Sequence, residues 1–66
     1  MDVQESQELI GLAGGIREFA ELIGIHGEPG WYHRVYAWQR RGIPAQVVLD
    51  NLAKIVSLQR RAGGNG

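Results

Sequence analysis

The sequence predicts a small, compact, all-α domain of four helices. Two observations lead to this fold class: apolar residues recur at helical spacing, and glycine or proline separates the apolar runs. A third observation is that the only β-prone run, Val47-Val48-Leu49, is short and continues into a helical pattern, so we predict no sheet. With 66 residues the chain forms one domain with a thin core.

A break at Ala13-Gly14-Gly15 separates the first two predicted helices, because glycine is costly inside a helix and favourable in a turn. The first helix runs from Val3 to about Leu12. The second has apolar residues at i, i+3, i+4 and i+7, which is one face of a helix. These residues are Ile16, Phe19, Ala20 and Ile23. Gly24 suits the left-handed residue that ends such a helix.

A loop at residues 25–30 precedes the third predicted helix. Its two glycines and one proline leave little room for regular structure, although Glu28-Pro29 also suits a helix start. His26 in this loop is expected to face solvent. The third helix spans Trp31 to about Arg41, and one of its faces is apolar. That face consists of Trp31, Val35 and Trp38.

The fourth predicted helix runs from Pro44, in its first turn, to about Arg61. It has a wide apolar stripe, formed by Ala45, Val47, Val48, Leu49, Leu52, Ile55, Val56 and Leu58. This is more apolar surface than a small monomer readily covers. The stripe therefore either joins two subunits of a homodimer or packs on the first two helices. Residues 62–66 are expected to form a flexible tail.

Charge is distributed unevenly along the chain. The net charge is zero, but residues 1–28 hold six acids and one base, while residues 29–66 hold one acid and six bases. The two halves therefore carry −5 and +5. This asymmetry indicates that the basic half faces a polyanion, or that the two halves attract each other, and the two interpretations are compatible.

The second and third helices have the pattern of a helix-turn-helix. Ala20 is the small residue that lets two helices approach closely, and Gly24 allows the turn. Val35 and Trp38 anchor the third helix to the core. The outer face of that helix then offers hydrogen-bond donors to phosphates and base edges. The donors are Tyr32, His33, Arg34, Tyr36, Gln39, Arg40 and Arg41.

Two segments resemble the helix-turn-helix of small phage repressors of the Cro and YdaS-like type. Residues 14–25, Gly-Gly-Ile-Arg-Glu-Phe-Ala-Glu-Leu-Ile-Gly-Ile, resemble its first half. Residues 35–45, Val-Tyr-Ala-Trp-Gln-Arg-Arg-Gly-Ile-Pro-Ala, resemble its second half, and the Trp-x-x-Arg-Gly-Ile-Pro-Ala run is the most specific part. The resemblance covers roughly residues 9–55. It implies a helical domain that binds operator DNA, often as a dimer, and represses transcription.

One departure from the family pattern precedes the third helix. Gly24 and Val35 are eleven positions apart, about five more than in the family. The extra residues either lengthen the turn or extend the recognition helix at its N-terminus. When the family's base-contacting positions are transferred to this sequence by their distance from the mid-helix valine, Val35, they fall on Trp31, Tyr32, His33, Tyr36, Ala37 and Arg40. Ala37 suits a thymine methyl group, and Arg34 suits a phosphate or a guanine.

We therefore expect a sequence-specific regulator that places its third helix in the major groove of double-stranded DNA. The expected DNA-binding residues are Trp31, Tyr32, His33, Arg34, Tyr36, Ala37, Gln39, Arg40 and Arg41. The alternative is a protein-binding module on the same fold that targets a polymerase or another regulator. Its support is the zero net charge and three aromatic residues, since aromatics and arginine dominate interfaces. Those aromatics are Trp31, Tyr32 and Tyr36.

Other classes of function lack a matching motif. No phosphate loop, nucleophile elbow or zinc signature is present, so we expect neither catalysis nor a cofactor. His26 and His33 show no metal-binding spacing. No apolar run approaches the roughly 20 residues of a membrane span, and the acidic first residues argue against a signal peptide. The absence of cysteine fits the cytoplasm or nucleoid of a bacterial cell, with a phage origin implied by the resemblance.

Overall fold

Within residues 1–63, the part of the chain that the computed structural model describes, five α-helices account for most of the fold. They are α1 (Val3–Ala13), α2 (Ile16–Ile23), α3 (Trp31–Arg41), α4 (Ala45–Asp50) and α5 (Leu52–Gly63). The predicted all-α class is confirmed, since this part of the chain contains helices and no strand. The predicted bounds of the second and third helices agree with α2 and α3.

Local signals set the ends of α1 and α2. The side chain of Asp2 caps α1, because its Oδ1 accepts the backbone N–H of Glu5 at 2.7 Å. Gly14 ends α1 in the left-handed conformation, with φ of 112°. Gly24 ends α2 in the same way, with φ of 82°, as the sequence predicts. The short Gly14–Gly15 connection then brings α2 back against α1.

The core lies where α1, α2 and α3 pack on one another, and α5 lies along α1. Its buried apolar side chains are Leu9, Ile10, Phe19, Ala20, Ile23, Val35, Ile43, Ile55 and Leu58. The C-terminal half of α5 borders the C-terminal half of α1, because Leu58 and Arg61 line a groove with Leu12 and Ala13. The C-terminal halves of α1 and α5 therefore lie side by side.

The prediction of a single fourth helix is wrong, because the segment forms two helices that break at Asn51. The Nδ2 of Asn51 donates to the carbonyl oxygen of Val47 at 2.9 Å, and its backbone leaves the helical region with φ of −123° and ψ of 22°. Asparagine competes in this way with the regular helical hydrogen bonds. The carbonyl oxygen of Asn51 then accepts the N–H of Ile55 at 3.0 Å, so α5 starts anew.

Two smaller differences occur at the ends of this segment. Pro44 precedes α4 with an extended backbone instead of lying in its first turn, and α4 begins at Ala45. At the other end, α5 continues through Ala62 and Gly63, which the prediction assigned to the tail. Residues 64–66, the remainder of that predicted tail, lie outside the described residues.

Candidate nucleic-acid interface

The extra residues before α3 lengthen the turn and do not extend the helix. The backbone N–H of Glu28 donates to the carbonyl oxygen of Ile25 at 2.9 Å, and that of Trp31 donates to Glu28 at 3.3 Å. These two successive turns occupy the loop between α2 and α3. Gly30, with φ of 75°, then turns the chain into α3, which begins four residues before Val35.

Side chains close this loop onto α3. The Nη1 of Arg34 lies 2.8 Å from the Oε1 of Glu28, so the second turn of the loop is joined to the first turn of the helix. The ring of His26 lies against Trp31, with 4.5 Å between the ring centroids and 41° between the planes. His26 is half-buried by this contact, so the expectation that it faces solvent is wrong.

One side of α3 holds the helix against the rest of the domain. Val35 is fully buried, and Trp31 and Trp38 are half-buried against the core. The Nε2 of Gln7 on α1 donates to the carbonyl oxygen of Gln39 at 3.0 Å. The anchoring role predicted for Val35 and Trp38 is therefore confirmed.

The C-terminal end of α3 is fastened to the start of α1. The N–H of Ile43 donates to the buried Oγ of Ser6 at 2.8 Å. The ammonium group of Met1 donates to the carbonyl oxygen of Ile43 at 3.2 Å. Gly42, directly before Ile43, turns the chain with φ of 104°. Together with the loop contacts, this docking fixes both ends of α3, as a binding helix on a rigid support requires.

Beside this anchored side, α3 carries a continuous aromatic and basic strip of Tyr32, Tyr36 and Arg40. These residues are four apart and therefore lie in one row along the helix. The rings of Tyr32 and Tyr36 are stacked, with centroids 6.4 Å apart and 11° between the planes. The guanidinium carbon of Arg40 lies 5.8 Å from the Tyr36 ring centroid, and its Nη1 donates to the Tyr36 hydroxyl at 3.3 Å. We call this row the tyrosine–arginine strip.

Six of the nine predicted DNA-binding residues are exposed on α3. They are Tyr32, His33, Arg34, Tyr36, Arg40 and Arg41. His33, Ala37 and Arg41 form a second row beside the tyrosine–arginine strip, and Ala37 is half-buried. Trp31 and Gln39 are half-buried as well, and both take part in the contacts that hold α3 to the domain.

Among the described helices, acidic and basic side chains are concentrated on different helices. α3 carries three arginines and no acid, whereas the acids of α1 and α2 are exposed on those two helices. The acids are Glu5, Glu8, Glu18 and Glu21. Within α3, Arg34 pairs with Glu28 and also lies 5.7 Å from the ring of Trp38. The outer face of α3 therefore offers Arg40 and Arg41 to an anion, with Arg34 partly neutralised at its border.

Two residues that support this surface were not predicted from the sequence. Ser6 receives the Ile43 N–H inside the core, and its position three residues before Leu9 indicates that it shares the buried face of α1. Glu28 pairs with Arg34 across the loop. Glu28 is the last acid before the basic half of the chain, but its spacing of six residues from Arg34 follows no helical pairing rule.

Comparison of the chain with protein-family models, curated proteins and solved structures found no match. Over residues 1–63, no helix has the length and apolar composition needed to cross a bilayer. The same residues contain no cluster of three histidine, cysteine or acidic side chains placed to hold a metal ion.

Proposed function

We propose that this chain binds double-stranded DNA through the outer face of α3 and acts as a sequence-specific transcriptional regulator of the phage repressor type. The observation that carries the proposal is that α3 is anchored along one side and exposes only neutral and basic polar groups and aromatic rings along the other. An α-helix of about 10–12 Å diameter fits a major groove about 12 Å wide.

The two exposed rows of α3 supply different contacts. Arg40 and Arg41 reach phosphates or a guanine edge, since arginine can donate two hydrogen bonds to guanine. Tyr32 and Tyr36 donate to phosphates from one side of the helix. Ala37, in the middle of the second row, suits the methyl group of thymine.

The resemblance to Cro and YdaS-like repressors supports the same function. The extra residues lie in the turn, so α3 starts one turn before Val35 and its exposed residues remain available for groove contacts. The Arg-Gly-Ile-Pro turn that carries the resemblance is the segment docked on Ser6 and Met1.

The first experiment selects duplexes from a random DNA library and measures their affinity by fluorescence anisotropy at low salt. We expect Arg40→Ala to weaken binding to the selected duplex about ten- to hundredfold, because a bidentate base contact contributes about 1–3 kcal/mol. Arg17→Ala is the matched control, since Arg17 lies on α2 and pairs with Glu21 at 3.7 Å. We expect that variant to bind like the original chain.

NMR titration provides the measurement that could contradict DNA binding by α3. Amide signals of residues 31–41 should shift on addition of the selected duplex, while those of α5 should change little. If no duplex is enriched and no signal in α3 shifts, DNA binding by this surface is refuted.

A second candidate function is binding to a protein, and the stacked tyrosine pair favours it. Tyr32 and Tyr36 are 51% and 43% exposed, and tyrosine with arginine is typical of interface hot spots. A purified bacterial RNA polymerase would serve as the first partner tested by surface plasmon resonance. Binding lost in Tyr36→Ala, together with silent DNA titrations, would favour this function over the first.

A further inference from the structure

The two tyrosines of the tyrosine–arginine strip are the exposed members among the chain's Phe, Tyr and Trp side chains. Tyr32 is 51% exposed and Tyr36 is 43% exposed, whereas Phe19 is buried and Trp31 and Trp38 are half-buried. A hydroxyl that donates to a phosphate needs only the tip of the tyrosine side chain to be accessible. The exposure of both residues therefore leaves aromatic surface that the proposed duplex contacts do not use.

The strip places planar groups at regular intervals along α3. The ring centroids of Tyr32 and Tyr36 are 6.4 Å apart, and the guanidinium carbon of Arg40 lies 5.8 Å from the Tyr36 centroid. Successive bases in a strand of B-DNA are about 3.4 Å apart, so the groups of the strip are separated by nearly twice that distance. Bases that stack on both rings must therefore be drawn apart from one another. An unpaired strand permits this, whereas a duplex must first lose base stacking.

Cationic side chains accompany the two rings. The Nη1 of Arg40 donates to the hydroxyl of Tyr36 at 3.3 Å, which holds the guanidinium beside the ring. Arg41 is exposed next to Arg40, and α3 contains no acidic residue. A phosphate can therefore pair with either arginine while the adjacent base lies on the ring of Tyr36. Proteins that bind single strands without sequence preference combine the same two features, a positively charged track and aromatic rings for stacking.

We propose that the tyrosine–arginine strip binds single-stranded nucleic acid. Two bases stack on Tyr32 and Tyr36, while Arg40 and Arg41 pair with the backbone phosphates. This activity goes beyond sequence-specific binding of a duplex, because it uses the faces of unpaired bases and tolerates any base sequence. Stacking and phosphate pairing are common to DNA and RNA, so the ligand is an unpaired strand of either kind.

The first test measures the affinity of the full chain for three labelled strands of about twelve nucleotides by fluorescence anisotropy at low salt. The strands are oligothymidine, oligouridine and a DNA strand in which every nucleotide is abasic. We expect oligothymidine or oligouridine to bind at least about tenfold more tightly than the abasic strand, which has the same phosphates but no bases. The tighter of the two identifies DNA or RNA as the preferred source. Equal affinity for all three strands, or no binding up to about 1 mM chain, overturns the proposal.

Substitutions at Tyr36 separate stacking from hydrogen bonding. We expect Tyr36→Ala to weaken binding of the preferred strand about five- to hundredfold, because the ring on which a base stacks is removed. Tyr36→Phe is the matched control: it keeps the ring and loses the hydroxyl, so its affinity should stay within about twofold of the original. Tyr36 is exposed, so circular dichroism should show unchanged helix content in both variants. Equal losses in the two variants would overturn stacking.

NMR reports the stacked arrangement directly. With oligothymidine bound, we expect nuclear Overhauser effects between the thymine methyl protons and the ring protons of Tyr32 and Tyr36. Their absence at saturation overturns the proposal.

The outcome is distinguishable from that of the proposed duplex binding. In the duplex the hydroxyl of Tyr36 donates to a phosphate, so Tyr36→Phe should weaken binding to the selected duplex and not to the single strand. Either activity can therefore fail its test while the other passes.

Discussion

Gly42 occupies the most restricted backbone position in the connection between α3 and α4. Its φ of 104° is disfavoured for residues with a side chain, and a Cβ placed there would lie 2.5 Å from the carbonyl oxygen of Met1. The neighbouring atom belongs to backbone that is itself held by the Met1 to Ile43 hydrogen bond. Glycine at this position therefore permits both the turn and the docking of the first residues.

We expect Gly42→Ala to lower the free energy of unfolding by about 2 kcal/mol or more, because the left-handed conformation and the clash both oppose a methyl group. Urea denaturation followed by circular dichroism measures the change. Gly27→Ala is the control, since a Cβ on Gly27 would meet no atom within 4 Å and the backbone there has no positive φ. Equal effects of the two substitutions would contradict this explanation.

The side chain of Ser6 is as specifically required for this connection as the missing side chain of Gly42. Its hydroxyl is fully buried and accepts the N–H of Ile43, which is 37 residues away in the chain. A buried N–H without a partner is costly. The hydroxyl therefore provides a polar contact inside an otherwise apolar core, and it holds the residue that follows Gly42.

The loop between α2 and α3 is the longest connection between the described helices. Its acid, Glu28, pairs with Arg34 at 2.8 Å, on the border of the outer face of α3. Exposed ion pairs contribute little to stability, typically about 0.2–1 kcal/mol. The pair therefore affects the charge that α3 presents more than it affects the fold.

We expect Glu28→Gln to raise the affinity for the selected duplex about three- to eightfold at about 0.1 M salt, because Arg34 becomes free to neutralise one phosphate. Stability should change by less than about 1 kcal/mol. Fluorescence anisotropy and thermal denaturation measure the two quantities. Glu21→Gln removes the same charge from the Arg17 pair on α2 and should have a smaller effect on affinity. Equal gains from both variants would show that net charge, and not release of Arg34, is responsible.

For the whole molecule, the distribution of charge matters more than its sum. The net charge is zero, yet α3 holds three arginines and no acid, and the acids of α1 and α2 lie on other helices. A polyanion is attracted to one face of such a molecule and repelled by others. Under the proposed function, this arrangement favours a defined orientation on DNA.

The salt dependence of DNA binding follows from this arrangement. Two or three phosphate contacts from the arginines of α3 release a similar number of counterions, so the affinity should fall about 10- to 40-fold between about 50 and about 200 mM salt. Arg41→Ala should reduce the logarithmic slope by about one if Arg41 contacts a phosphate. Anisotropy titrations at four salt concentrations measure the slope. A slope near zero would contradict phosphate binding by α3.

The sequence was sufficient to predict the helical class, the ends of α2 and α3, and the anchoring of α3 by Val35 and Trp38. Each of these features has a local signal, because helix ends require glycine or a cap and a buried face requires apolar residues at helical spacing. The exposure of Tyr36 and Arg40 follows from the same periodicity, since neither lies three or four residues from the buried Val35, whereas Tyr32 lies three residues from it and its exposure does not follow.

Other features depend on residues that meet through packing. Asn51 ends α4 through its own side chain, whereas the sequence predicted a continuous helix there. The loop at residues 25–30 was compatible with a longer turn or a longer helix until the contacts of His26 and Glu28 closed it onto α3. Ser6 meets Ile43 across 37 positions. Such contacts form between side chains that are distant in sequence, or they compete with the regular helical hydrogen bonds by small differences in free energy. Neither effect changes the spacing of apolar residues along the sequence, so neither can be predicted from that spacing.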